Sequence, residues 1–188
     1  AATWEEKEEN LTRAAEVYER VRKGEPHNVI ASERLEAIYQ QQFKWNELVE
    51  VLLERSELRD DTNERITLLN RVAKIYETEI GDQEAAFYVL QAAFKLDYAH
   101  DETANELERL ATATNRWQDL LDEYTARVAE LEREDRGSAA DLWVKIGRWY
   151  AEHLSHLEYA IHSVQQALRI DPSHTGALGG MAELQRNR

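Results

Sequence analysis

The chain contains no cysteine. Disulfide staples and thiolate chemistry are therefore excluded, while the compartment stays open, with the cytoplasm as the default, because reducing and exported environments both tolerate such a chain. Two prolines and seven glycines leave little material for strands joined by tight turns. No apolar run approaches the roughly 18 residues that a membrane helix needs, and no signal-peptide pattern precedes Thr3. Cations are scarce: 23 Lys and Arg stand against 37 Asp and Glu, a net charge of −14 and a pI near 4.9. Broad binding to a phosphate backbone needs clustered Lys and Arg, so neither a nucleic-acid partner nor membrane insertion is expected. The charge suits a soluble protein or one with basic partners. The chain does not begin with Met, and the expectation is a piece of a longer protein.

What the sequence does hold is helix. Hydrophobic residues make up 43% and charged residues 32%, enough for a core and a solvated surface, and the residues that dominate are helix formers. It also repeats. Trp45 and Trp117 are 72 positions apart, as are Leu35-Glu36 and Leu107-Glu108, Leu48 and Leu120, and Pro26 and Tyr98. Tyr76/Tyr150, Ala86/Ala160, Ala93/Ala167, Asp97/Asp171 and His100/His174 are offset by 74. A double unit of this length, built of helical pattern, predicts a stacked helical solenoid rather than a compact enzyme domain.

Apolar spacing predicts about ten helices. The first runs to about Arg22, with Leu11, Ala14, Ala15, Tyr18 and Val21 on one face, and is ended by Gly24 and Pro26. The others fall near 29–41, 45–59, 62–79, 83–96, 101–114, 116–135, 138–154, 156–170 and 174–186. Thr3 with Glu6, Ser138 with Asp141, and Ser155 with Glu158 fit the capping-box pattern, and Asp61 opens a cap region. With no linker or low-complexity tract, the chain reads as one domain over 1–188. Its hairpin units are approximately 1–27 (partial), 29–60, 62–98, 101–135 and 138–172, followed by a capping or truncated helix over 174–188.

The clearest hairpin reads Trp143-x2-Ile146-Gly147-x2-Tyr150, then Ala160-x3-Val164-x2-Ala167-x4-Pro172. This resembles the tetratricopeptide repeat (TPR). Small Gly147 and Ala160 suit a close helix crossing, Trp143 and Tyr150 fill space between helices, and Pro172 stops the second helix. The units containing Leu69 to Tyr98, Leu107 to Tyr124 and Leu35 to Leu52 match more loosely. Two units, Tyr76 to Ala86 and Tyr150 to Ala160, carry one extra residue around the turn. The resemblance implies an all-α fold, a right-handed αα-superhelix of antiparallel helix hairpins, in which the first helix of each hairpin lines a concave groove.

Chemistry is sparse. No Gly-rich phosphate loop, nucleophile elbow or zinc-protease motif is present, so no catalytic residue, cofactor or metal site is expected and the protein reads as a non-enzyme. His153 and His156, with His162 near, mark a solvated corner rather than a metal site, which would need a third ligand and a structural context. His100 and His174 recur where one unit hands over to the next, a cap or loop position. Trp45, Trp117 and Trp143 occupy packing positions, Trp149 has no position in the pattern, and Trp4 is a candidate for exposure.

On the implied concave face stand Glu33, Ala37 and Gln40, then Asn70 and Lys74, Asn105 and Arg109, and Arg148. The donors Asn70, Lys74, Asn105, Arg109 and Arg148 form a candidate ladder for a peptide carboxylate or backbone carbonyls. Equally, they suit solvated residues that neutralise nearby Glu. The expected function is a protein–protein interaction scaffold that takes a protein or peptide partner in its groove. The alternative is a structural or self-assembly module, a homo-oligomer built through exposed solenoid ends.

Overall fold

A computed structural model describes the backbone of residues 4–186 and the side chains of residues 6–186. Within that range there are ten α-helices and no strand. No helix among the described residues is long and apolar enough to cross a membrane. The Thr3–Glu6 cap and the exposure of the Trp4 side chain lie outside the described residues. The helices fall into two compact units, Ala1–Leu96 and Asp97–Arg188.

The first unit contains α1 (Trp4–Gly24), then a hairpin of α2 (Val29–Gln41) and α3 (Trp45–Glu57), then a hairpin of α4 (Thr62–Ile75) and α5 (Gln83–Phe94). Polar side chains start the first helices: Asn28 Oδ1 accepts from the Ala31 N–H at 3.0 Å, and Asp61 Oδ1 from the Glu64 N–H at 2.8 Å. Each satisfies a donor that the helix leaves free. The core is mainly aliphatic, built on Leu35, Leu48, Leu52 and Val72, with Tyr39 among them and Trp45 partly buried against it. Phe87 and Phe94 of α5 are fully buried.

The second unit contains the hairpin of α6 (Asp101–Ala113) and α7 (Trp117–Glu134), the hairpin of α8 (Arg136–Glu152) and α9 (Leu157–Ile170), and α10 (Thr175–Arg186). Its core is aromatic. Trp149 and Tyr124 are fully buried, with ring centroids 6.0 Å apart. Tyr98 meets Tyr124 edge-on at 6.1 Å, Trp117 lies 6.0 Å from Trp149, and His153 stacks on Trp117 at 3.6 Å. Burial raises the Tyr124 and Tyr98 hydroxyl pKa values above the ordinary 10.0, because a charged phenolate loses its hydration there.

The signature hairpin packs as its residue types require. Gly147 sits where α8 crosses α9: a Cβ there would lie 2.9 Å from Val164 Cγ2 and 3.1 Å from the Ala160 carbonyl oxygen. Ala160 and Ala167 are fully buried. This is a TPR-like hairpin in sequence and in packing. The extra residue predicted in two units also has a definite place. In the short turns the backbone closes over five positions, Lys44 N–H to the Tyr39 carbonyl and Arg116 N–H to the Ala111 carbonyl, each at 2.8–2.9 Å. In the long turns it closes over six, Asp82 N–H to Tyr76 and His156 N–H to Tyr150, again at 2.8–2.9 Å. After α4 the extra residue is taken up in a π-helical turn, Tyr76–Ile80. Every hairpin turn carries one residue with positive φ: Phe43, Gly81, Asn115 and Ser155.

Two predicted caps are corrected. Ser138 does not cap α8, because Asp135 three residues earlier does. Its Oδ1 accepts from the Ser138 N–H at 3.1 Å and its Oδ2 from the Ser138 hydroxyl at 2.7 Å, which holds the carboxyl below the ordinary 3.8. Ser155 takes the left-handed turn position, φ 55, and α9 starts after His156 with no side-chain cap. Trp149, which the consensus leaves unassigned, is a core residue: it follows Ile146 by three positions on the buried face of α8.

Candidate functional site

Arg–Glu pairs tie successive hairpins together inside each unit. Among the first helices, Arg71 Nη1 of α4 donates to Glu36 Oε2 of α2 at 2.7 Å, and Arg148 of α8 pairs with Glu108 of α6. Arg55 of α3 also pairs with Glu36. Burial lowers the Arg55 pKa from its ordinary 12.5. Among the second helices, Arg22 joins Glu54 at 2.7 Å and Arg169 joins Glu132 at 2.8 Å. Glu36 and Glu108 are the repeat-related glutamates of the sequence, 72 positions apart, and both receive a guanidinium from the next hairpin.

In the second unit, α6, α8 and α10 bound a cleft of about 300 Å³ lined by Asp101, Asp141, Val144, Lys145, Arg148 and His174, with Ala99 at its edge. Asp141, Lys145 and Arg148 fall on one face of α8 because they are spaced by four and three positions. Lys145 Nζ reaches Asp101 Oδ1 at 3.4 Å, and its side chain is only 12% exposed. His174 is held from both ring nitrogens. Its Nδ1 accepts the Ala177 N–H at 3.2 Å and caps α10. A backbone N–H can only donate, so Nε2 carries the ring proton and donates to Asp141 Oδ1 at 3.0 Å. His100 caps α6 in the same manner, its Nδ1 accepting from the Thr103 N–H at 3.2 Å. The repeated histidines are thus helix caps, as their position suggested.

The cleft offers two cations and two carboxylates, each already held by a partner of opposite charge or by a hydrogen bond. Such pairs can be exchanged for a ligand's carboxylate, carbonyl or amide without leaving a buried charge bare. Across Asp141 and His174 a second cleft of about 350 Å³ is lined by Arg136, Ala140 and Asp171. The Ser173 hydroxyl and N–H lower the Asp171 carboxyl from its ordinary 3.8. In the first unit, clefts of about 240 and 260 Å³ flank Pro26, bounded by Arg55 and Arg59 on one side and Arg22 and Glu54 on the other.

The five donors read from the sequence sit as follows. Asn70 and Lys74 are one helical turn apart on α4, Asn70 half-buried and Lys74 exposed. Lys74 makes no ion pair among the described residues. Asn105 and Arg109 are exposed on α6, outside the lining of the cleft. Arg109 Nη2 donates to Glu106 Oε2 at 2.8 Å. Arg148 lines the cleft and holds Glu108. Sequence reasoning missed Lys145, Asp141 and His174. The signal was available in the spacing of residues 141, 145 and 148, and in the recurrence of His100 at His174.

No protein-family model matches the chain, and no curated protein sequence does. Solved structures do. YrrB, described as a TPR protein with an unusual peptide-binding site, aligns at TM-score 0.42 and 18% identity, over 93% of this chain and 84% of that one. The crystal structure of MamA aligns at TM-score 0.35 and 18% identity, over 100% of this chain and 85% of that one. The TPR2AB domain of yeast Sti1, in its complex with pHSP90, aligns at TM-score 0.39 and 15% identity, over 94% of this chain and 77% of that one.

Proposed function

We propose that this protein is an interaction scaffold, not an enzyme, and that the cleft between α6, α8 and α10 anchors an extended segment of a protein partner. The observation that carries the reading is the cleft's lining: Lys145 and Arg148 share the α8 face with Asp141 and meet Asp101 of α6 around about 300 Å³ of open space. A peptide backbone presents both donors and acceptors, and a lining of both signs meets it where a single-sign patch would not. Asn105 and Arg109 on α6 add donors on a first helix of the same unit.

The test is affinity capture from a cell extract, with captured proteins identified by mass spectrometry, comparing the wild-type chain with the double variant Lys145→Gln/Arg148→Gln. A partner held by the wild type and lost from the variant, with helicity by circular dichroism unchanged, is the expected result. A partner retained by the variant would move the site elsewhere. A second reading, self-assembly, is favoured by Leu178, which α10 presents at 51% exposure. It requires the oligomer mass by light scattering to fall in Leu178→Glu.

A further inference from the structure

The corner between α8 and α9 departs from its own repeat. At the matching corner, 74 positions earlier, Gly81 takes the left-handed turn position at φ 81, where glycine carries no steric cost. Asp82 then caps α5, its Oδ1 accepting from the Ala85 N–H at 2.9 Å. At α8–α9 these three positions hold Ser155, His156 and Tyr159. The backbone closes in the same way, yet Ser155 must adopt φ 55 and His156 makes no cap. Ser155 and His156 each cost stability relative to Gly81 and Asp82, so the turn itself does not account for them.

What they join is an aromatic cluster at the surface, in which Tyr150 is half-buried and His156 and Tyr159 are exposed. The rings of Tyr150 and Tyr159 stack at 5.3 Å with an interplanar angle of 27°. His156 stands edge-on to Tyr159 at 5.7 Å and lies 6.4 Å from Tyr150. Tyr159 is 60% exposed. Glu158 precedes it in α9 and Glu152 ends α8; both are exposed, and neither has a Lys or Arg partner among the described residues, Glu152 having only the His153 ring at 3.9 Å. The sequence from Trp149 to Leu168 contains no Lys or Arg. The face of an aromatic ring is electronegative, so two such faces and two carboxylates give the corner a preference for a cation that this stretch does not supply.

We infer that this corner is a docking surface for an arginine-bearing segment of a partner protein, with a guanidinium laid on the Tyr150–Tyr159 pair and hydrogen-bonded to Glu158 or Glu152. The planar guanidinium stacks on a ring and pairs with a carboxylate together, which an ammonium does less well. The surface shares no residue with the cleft and stands whether or not the cleft binds a peptide.

The experiment is NMR titration of the whole chain with a synthetic peptide of alternating Gly and Arg, and with its citrulline analogue, which keeps the shape and removes the charge. The expected result is saturable movement of the Tyr150, Tyr159 and His156 ring signals with the arginine peptide only. Affinity should fall about threefold or more in Tyr159→Ala, be kept in Tyr159→Phe, and fall in Glu158→Gln. Equal binding of the citrulline peptide, or equal affinity in Tyr159→Ala with shifts spread over the acidic surface, would overturn the proposal. So would a loss of affinity in Tyr159→Ala that appears only together with a lower unfolding midpoint, which would assign the ring to the fold.

Discussion

The hairpins α4–α5 and α8–α9 are the same element met twice, and they differ in where their residues are spent. Both close the long turn with the same six-position hydrogen bond. In α4–α5 the positions matching Gly147 and Ala160 hold Ala73 and Ala86, both buried, and the turn has Gly81 and the capping Asp82. In α8–α9 the crossing is tightened to Gly147 against Ala160, and the turn carries serine, an uncapping histidine and an exposed tyrosine. The first hairpin follows local rules throughout; the second breaks them at one corner and keeps them at the crossing. A repeat that preserves backbone closure can therefore vary its corner chemistry freely, since closure depends on chain length and main-chain groups rather than on side chains.

The two units differ similarly in their glutamates. The Glu36 side chain is 11% exposed and sits between Arg55, 17% exposed, and the half-solvated Arg71, whereas Glu108, 17% exposed, meets the half-solvated Arg148, so the contrast rests on the buried Arg55. Removing one member of a buried pair strands the other, which costs about 3–5 kcal/mol when burial is complete. For Glu36→Ala the expected loss is at the lower end of that range, about 3 kcal/mol, because Arg71 is partly solvated. For Glu108→Ala the expected loss is about 1 kcal/mol or less, as for other pairs with a solvated partner. Urea unfolding of both variants checks this, and equal losses would erase the contrast.

Gly147→Ala comes next. Val164 Cγ2 or the Ala160 carbonyl must give way, and overpacking of this kind costs about 1–3 kcal/mol. The repeat-related exchange Ala73→Gly should cost about 1 kcal/mol through helix propensity alone. Thermal unfolding that ranks Ala73→Gly as the more damaging would mean that the α8–α9 crossing relaxes freely.

The smallest effect belongs to the caps. Asp82→Ala is expected to lose about 1 kcal/mol, and His156→Asp, which restores the cap residue of the other hairpin, to gain about 0.5–1 kcal/mol. If His156→Asp proves neutral or destabilising by the same measurement, the histidine is serving the turn after all.

Much of this fold was legible in the chain. Helix positions followed from apolar spacing, and the extra residue in two turns followed from the spacing of Tyr76 to Ala86 and of Tyr150 to Ala160. The Ser138 and Ser155 caps were misplaced because the Ser-x-x-acid pattern says nothing of competitors: Asp135 is the better acceptor three positions earlier, and Ser155 is taken by the turn. Trp149 escaped because a consensus marks only the positions that every hairpin shares. The donors Arg109 and Arg148 were placed on the right helices, but their engagement with Glu106 and Glu108 was not visible. The partner of Arg148 lies 40 positions away in the chain and is brought there by the stacking of hairpins.

Short and long turns alternate along the chain, short at Phe43, long at Gly81, short at Asn115 and long at Ser155. Each compact unit holds one of each. The natural module of this protein is therefore a pair of hairpins, and inserting or deleting a single internal hairpin would set two like turns next to each other in the chain. Insertions and deletions of about 72 to 74 residues would leave the alternation intact, whereas changes of half that length would not.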